Sequence, residues 1–157
     1  MPFMRTLALA PILLVSCAAP DTVSDRVGSE MEVAYLTTSG PEELDLPFSE
    51  AVQIGDLMIL SGQVGVLPGT PTLVEGGIQP ETRQAMENIK SVLERHGSSM
   101  ERVVKCTVML EDIDEWGEMN EVYREYFPGL KPARSAFGAD GLALGAQVEI
   151  ECWAIAG

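Results

Sequence analysis

The sequence predicts an α+β fold, a mixed β-sheet with two α-helices on one face. Three observations predict it. Short runs that alternate apolar and polar residues recur at 33–38, 48–54, 57–66, 103–110, 133–137 and 147–155, the period of strands. Two stretches carry apolar residues at helical spacing instead, one opening near Pro80 and one after Asp114. The resulting order is three strands, helix, strand, helix, two strands. Strand–helix–strand units of that kind cross over right-handed, which brings both helices to the same face.

Taken in order, 33–38 is a first strand, followed by the turn-rich Ser39-Gly40-Pro41 and an acidic loop. Gly55-Asp56 between 48–54 and 57–66 is a two-residue hairpin signature. Gly62 inside the third strand marks a bulge or a close approach by backbone or ligand. Met86, Ile89, Val92 and Leu93 form the stripe of the first helix, which stops at Gly97, and Met86 reads as a core position. His96 sits at that helix end, where it is expected to satisfy terminal carbonyls. In 103–110, Val104, Cys106, Val108 and Leu110 are expected on one face, with Lys105 and Thr107 on the other.

Asp114 is expected to cap a second helix bearing Trp116, Met119, Tyr123, Tyr126 and Phe127, and Pro128-Gly129 ends it. A short strand at 133–137 and a glycine-rich loop lead to the last strand. There Val148, Ile150 and Cys152 face the helices, while Glu149, Glu151 and Trp153 face away. Ile59, Met109 and Trp153 then point at a sheet face that no helix covers, which implies an oligomer that buries it.

The 157 residues hold 10 Lys plus Arg against 24 Asp plus Glu, a net charge of −14. Such a surface repels phosphate backbones, and no basic patch offsets it, so nucleic acid is not an expected partner. Cys106 and Cys152 lie in expected strands and can pair only if those strands are adjacent and in register. The order of elements leaves both states open.

The N-terminus reads as an export signal over residues 1–16. Arg5 is followed by an apolar run too short to span the roughly 30 Å of a bilayer core as a helix. Leu14-Val15-Ser16-Cys17 resembles the lipobox of bacterial lipoproteins, which implies cleavage before Cys17 and lipidation of that residue. Acyl chains would then hold the protein to a membrane without spanning it. Alanine at position 18 resembles outer-membrane sorting, and the resemblance implies a location in the bacterial cell envelope on the periplasmic side of the outer membrane. Residues 17–32 are polar and aperiodic, a tether to a domain at 33–157.

Lys131-Pro132-Ala133-Arg134-Ser135 sets an arginine into a short apolar strand of a strongly acidic chain. A guanidinium there has a specific anionic partner, either a carboxylate substrate or a glutamate of the same chain. Glu149 is a candidate to position a water and take its proton. No Ser-His-Asp set and no Walker phosphate loop is present in the sequence.

Phe48-Ser49-Glu50-Ala51-Val52, Leu60-Ser61-Gly62-Gln63, Met119-Asn120-Glu121-Val122-Tyr123, Pro132-Ala133-Arg134-Ser135 and Val148-Glu149-Ile150-Glu151 occur in one order over residues 46–156. Together they resemble the reactive-intermediate deaminase family, RidA, also called YjgF. The resemblance implies a chorismate-mutase-like homotrimer with a site in each subunit interface. It implies hydrolysis of 2-imino acids, such as 2-iminobutanoate and 2-iminopropanoate, to 2-keto acids and ammonia without a cofactor or metal. By resemblance Arg134 is the carboxylate clamp and Glu149 attends the hydrolytic water. Ser61 and Gly62 match pocket residues, and Asn120 lines the site or supports the interface.

The chain departs from the family in two places, with Phe48 where many members carry tyrosine and Ala136 where many carry cysteine. These departures define the alternative, a non-catalytic trimer of the same fold that binds small carboxylates or acts like a chaperone.

Overall fold

Among the described residues, seven strands form one sheet. In the computed structural model these are residues 32–37 and 46–157. The signal-like stretch, Cys17, the tether and the acidic loop at 41–45 lie outside them. The strands are β1 (Val33–Leu36), β2 (Ala51–Ile54), β3 (Leu57–Leu60), β4 (Gln63–Val64), β5 (Val103–Leu110), β6 (Ala133–Gly138) and β7 (Val148–Ile155). Their order is β1-β2-β3-β7-β5-β6, with β4 also paired to β7. Every pairing is antiparallel except β5 with β6, so the sheet is mixed. Gly55 adopts φ 57° in the β2–β3 turn, a conformation that costs glycine little.

Helices α1 (Ile78–Arg95) and α2 (Trp116–Tyr123) pack against each other over one sheet face, as the order of elements predicts. The α1 stripe of Met86, Ile89 and Leu93 is fully buried, and so are Cys106, Val108 and Leu110 of β5 and Val148, Ile150 and Cys152 of β7. Burying each such large side chain contributes roughly 1.5–3 kcal/mol, which is why this layer sets the position of everything above it. Glu81, only 5% exposed, lies in the first turn of α1, and its carboxylate accepts the Gln147 N–H at 2.8 Å. A negative charge suits that end of a helix dipole, and the bond pins the entry to β7. Asn88 donates to the Val64 and Val66 carbonyls at 3.0 Å each, tying α1 to the short β4.

Cys106 and Cys152 sit directly opposite each other on β5 and β7 and form a disulfide, with Cα atoms 4.1 Å apart. The adjacency and register that pairing requires are both met. No helix of the described residues is long and apolar enough to cross a membrane. On the helix-free face Trp153, Phe137 and Tyr35 are exposed, while Ile59 and Met109 are half-buried.

Five local expectations are corrected. Residues 48–50 precede β2 rather than extend it, because the Ser49 carbonyl is taken by the Ser61 hydroxyl instead of a backbone N–H. The strand expected at 57–66 breaks at Ser61-Gly62, where the backbone leaves room for the Glu149 carboxylate. A register shift between Val103 and Lys105 turns Val104 out to solvent and buries Val103 in its place. Asp112, not Asp114, caps the turn before α2, accepting the Asp114 N–H at 2.9 Å. The His96 ring meets the Glu50 carboxylate at 3.0 Å instead of helix carbonyls.

Candidate active site

Strand alternation decides which candidates can meet. Arg134 pairs with Cys106 across the parallel β5–β6 rung, so its side chain rises on the helix-covered face at the sheet edge. There α2 presents Trp116, Asn120 and Tyr123 at spacing i, i+4, i+7, which places all three on one stripe. Arg134 Nη1 donates to Asn120 Oδ1 at 2.6 Å. Its Cζ lies 4.7 Å from the Tyr123 ring centroid and 5.7 Å from that of Trp116, within cation–π range of both.

No carboxylate among the described residues forms an ion pair with Arg134. The reading of this arginine as half of an ordinary Arg–Glu pair is therefore set aside. A guanidinium has five N–H donors, and one amide oxygen leaves most of them available. They border a cavity of about 650 Å³ lined by Trp116, Gly117, Asn120, Tyr123, Arg124, Phe127, Pro128, Lys131, Pro132 and Arg134. Burial pushes the Tyr123 hydroxyl up to about 12, a rise that the nearby Arg134 charge opposes. Ala136, two residues along β6, shares the face of Arg134 and packs against the core.

Glu149 lies on the other face of the sheet. It pairs with Met109 on β5 and with Val64 on β4, while its neighbours Val148 and Ile150 point into the core. Its carboxylate rests against Gly62: a Cβ built on that glycine would collide with Glu149 Oε1 and stand 2.8 Å from Cδ. Gly62 is thus glycine because a carboxylate needs the space. Ser61 beside it donates its hydroxyl to the Ser49 carbonyl at 2.7 Å, and Phe48, one residue before Ser49, is exposed. Glu151, the second carboxylate on this face, accepts the Trp153 Nε1–H at 2.7 Å. Glu149 has no such donor among the described residues.

Within one chain the candidates therefore form two groups on opposite faces. Arg134, Asn120 and Ala136 are one, and Glu149, Gly62 and Ser61, with Phe48 nearby, are the other. Reading the sequence placed Trp116 and Tyr123 in an apolar stripe and missed that they flank Arg134. Their i, i+7 spacing around Asn120 was the signal that could have found them.

A mixed sheet under two helices, with an arginine open to a cavity free of acidic side chains, defines a small α+β domain able to receive an anion. The chain belongs to the family described as Endoribonuclease L-PSP, the RidA/YjgF group, whose profile it matches over residues 41–156. It is 41% identical over 121 residues to the mouse protein named 2-iminobutanoate/2-iminopropanoate deaminase, covering 77% of this chain and 89% of that one. The solved structure of RidA from the Antarctic bacterium Psychrobacter sp. is 31% identical with a TM-score of 0.67, covering 82% of this chain and 99% of the other. The YjgF gene product of E. coli superposes with a TM-score of 0.68 at 28% identity, over 77% of this chain and 96% of its own.

Proposed function

We propose that this chain hydrolyses reactive 2-imino acids, such as 2-iminobutanoate and 2-iminopropanoate, to 2-keto acids and ammonia. The observation that carries the reading is Arg134, held by Asn120 and facing a cavity that no carboxylate among the described residues lines. The name of the mouse relative points to the same reaction. The family description mentions an endoribonuclease, but a chain of net charge −14 is poorly suited to a phosphate backbone.

In the mechanism Arg134 grips the substrate carboxylate with two parallel hydrogen bonds. That orients the protonated imine carbon, already electrophilic, towards a water. Glu149 takes a proton from that water as its oxygen adds to C2, and the C=N π electrons move to nitrogen. Glu149 returns that proton to the aminol nitrogen, and the C–N bond then breaks as Glu149 takes up the hydroxyl proton, so that ammonia leaves and the C2 carbonyl forms. The protein has only to hold, orient and exchange protons, so orientation supplies much of the rate.

Arg134 and Glu149 lie on opposite faces of one chain, so the reading requires that a neighbouring copy deliver Glu149, Gly62 and Ser61 to the Arg134 cavity. A homotrimer with its sites between subunits meets that requirement. It would also cover the apolar residues Trp153, Phe137 and Tyr35, exposed on the helix-free face.

The chain is further proposed to be exported and lipid-anchored, with a signal at 1–16, lipidated Cys17, a tether to residue 32 and the domain at 33–157. Supporting this are the Leu14-Val15-Ser16-Cys17 sequence and, separately, the buried Cys106–Cys152 disulfide, a bond that persists in oxidising compartments. Intact-mass analysis of the envelope fraction should show diacylglycerol on Cys17, and Cys17→Ser should release the protein from it.

The decisive assay measures ammonia release from 2-iminopropanoate generated in situ by an amino-acid oxidase. If the purified trimer leaves the decay rate of the imine unchanged, the deaminase reading is wrong. Tight binding of small keto acids without turnover would instead favour the non-catalytic alternative.

A further inference from the structure

The cavity beside Arg134 is much larger than a three- or four-carbon acid requires. At about 650 Å³ it falls in the range of roughly 300–1,000 Å³ that accommodates ligands of drug size. These walls belong to one chain, α2 with its following turn and the 128–134 segment that leads into β6, and the copy that brings Glu149 would complete the enclosure.

Its apolar wall is aromatic. Trp116 and Tyr123 flank the guanidinium, and Phe127 lies against Tyr123 with ring centroids 5.0 Å apart. A carboxylate held by Arg134 leaves the rest of the molecule beside these rings.

Two independent features mark the cavity as a ligand subsite rather than a packing defect. Among the described residues no acidic side chain lines it, whereas Arg124 and Lys131 stand exposed in its lining along with Arg134. The exposed pair steers an approaching anion, while the half-buried Arg134 is the one cation of the three placed to hold it. Tyr123, only 8% exposed, has a hydroxyl with no hydrogen-bond partner among the described residues. Buried polar groups are nearly always satisfied, so an unpartnered hydroxyl directly behind this wall is an exception that close packing alone does not explain.

We infer that the cavity is the substrate side-chain subsite, and that the preferred substrates are 2-imino acids carrying an aromatic group. This rests on the deaminase reading for its chemistry and goes beyond it in choosing among imines. A dicarboxylic substrate fits less well, because Arg124 and Lys131 are exposed, where salt and water screen them. Aromatic rings against Trp116 and Tyr123 gain both area and ring geometry.

The test compares kcat/KM for the imines made in situ from phenylalanine and from alanine. In parallel, titration calorimetry measures the affinity of the trimer for phenylpyruvate, pyruvate and 2-oxoglutarate. A single methylene in an apolar pocket is worth about 10–200-fold, so a preference of at least about tenfold for the phenyl compounds is expected in both assays.

Trp116, 46% exposed and outside the core, can be changed without opening the fold. Trp116→Ala should lower the phenyl-to-methyl ratio several-fold in both assays, and Trp116→Phe should retain most of it. Equal affinities for phenylpyruvate and pyruvate, tighter binding of 2-oxoglutarate, or a ratio unmoved by Trp116→Ala overturns the inference. If phenylpyruvate binds tightest through Trp116 while no imine is hydrolysed, the deaminase reading fails and the subsite stands.

Discussion

The two candidate half-sites are built on different principles. Around Arg134 the geometry is held by side chains: an amide from α2, two aromatic faces and a cavity floor. Around Glu149 it is held by backbone, since Gly62 gives the carboxylate room and Ser61 fastens the break between β3 and β4 to Ser49. The sheet lies between them. Separating them leaves an arginine and a glutamate without an ion-pair partner among the described residues of one chain.

Removing either charge should have the largest effect. Two charge-assisted hydrogen bonds at roughly 1.5–3 kcal/mol each make Arg134→Ala worth about 10²–10⁴-fold in kcat/KM for imine hydrolysis. Glu149→Gln should cost a similar factor through loss of the general base. The sharper experiment co-expresses the two variants. If the half-sites come from different copies, mixed trimers contain some sites with neither change, and a measurable fraction of activity returns. A mixture as inactive as its parents places both residues in one copy and breaks the comparison.

Gly62→Ala probes the backbone-held half alone. The added methyl meets the Glu149 carboxylate, so crowding should cost about 1–3 kcal/mol of stability in denaturant titrations, with activity falling further than Asn120→Ala makes it fall. Asn120→Ala removes one hydrogen bond to the arginine, about 1.5–3 kcal/mol at most, and should appear mainly as a raised KM.

The disulfide joins the rung on which Arg134 stands, through Cys106, to the strand that carries Glu149. Replacing both cysteines with alanine should lower unfolding free energy by about 2–4 kcal/mol. A loss well below that would show that β5–β7 pairing alone holds the two faces together.

The smallest effect concerns Tyr123. Burial raises its hydroxyl from 10.0 to about 12, so the folded state keeps its proton where the unfolded state has lost it. Its contribution to stability is complete below pH 10 and is lost as pH rises from 10 towards 12. Tyr123→Phe should flatten that part of the alkaline unfolding profile and leave stability at neutral pH almost unchanged, because the hydroxyl has no partner to lose.

Much of this fold was legible because periodicity is a local property. Strand β5 at 103–110 has the bounds its alternation predicts, and the α1 stripe of Met86, Ile89 and Leu93 is buried as its spacing requires. The misreadings share another cause. Residues 48–50, the break at Ser61-Gly62 and the Glu50 partner of His96 all depend on bonds between segments 12 to 46 residues apart, which no local window contains. Val104 was misplaced by a bulge that only the β7 register reveals.

The site divides in the same way. Sequence alone determined which residues carry charge, which strands carry them and which face of each strand they take, because alternation along a strand is dictated by its backbone. It also placed Trp116 and Tyr123 on one helix stripe, to which the spacing of Asn120 adds that residue. Only the tertiary structure decided that this stripe lies over Arg134 and that Cys106 meets Cys152. Those outcomes depend on strand order and register, which are set by the packing of distant segments and by no residue's immediate neighbours.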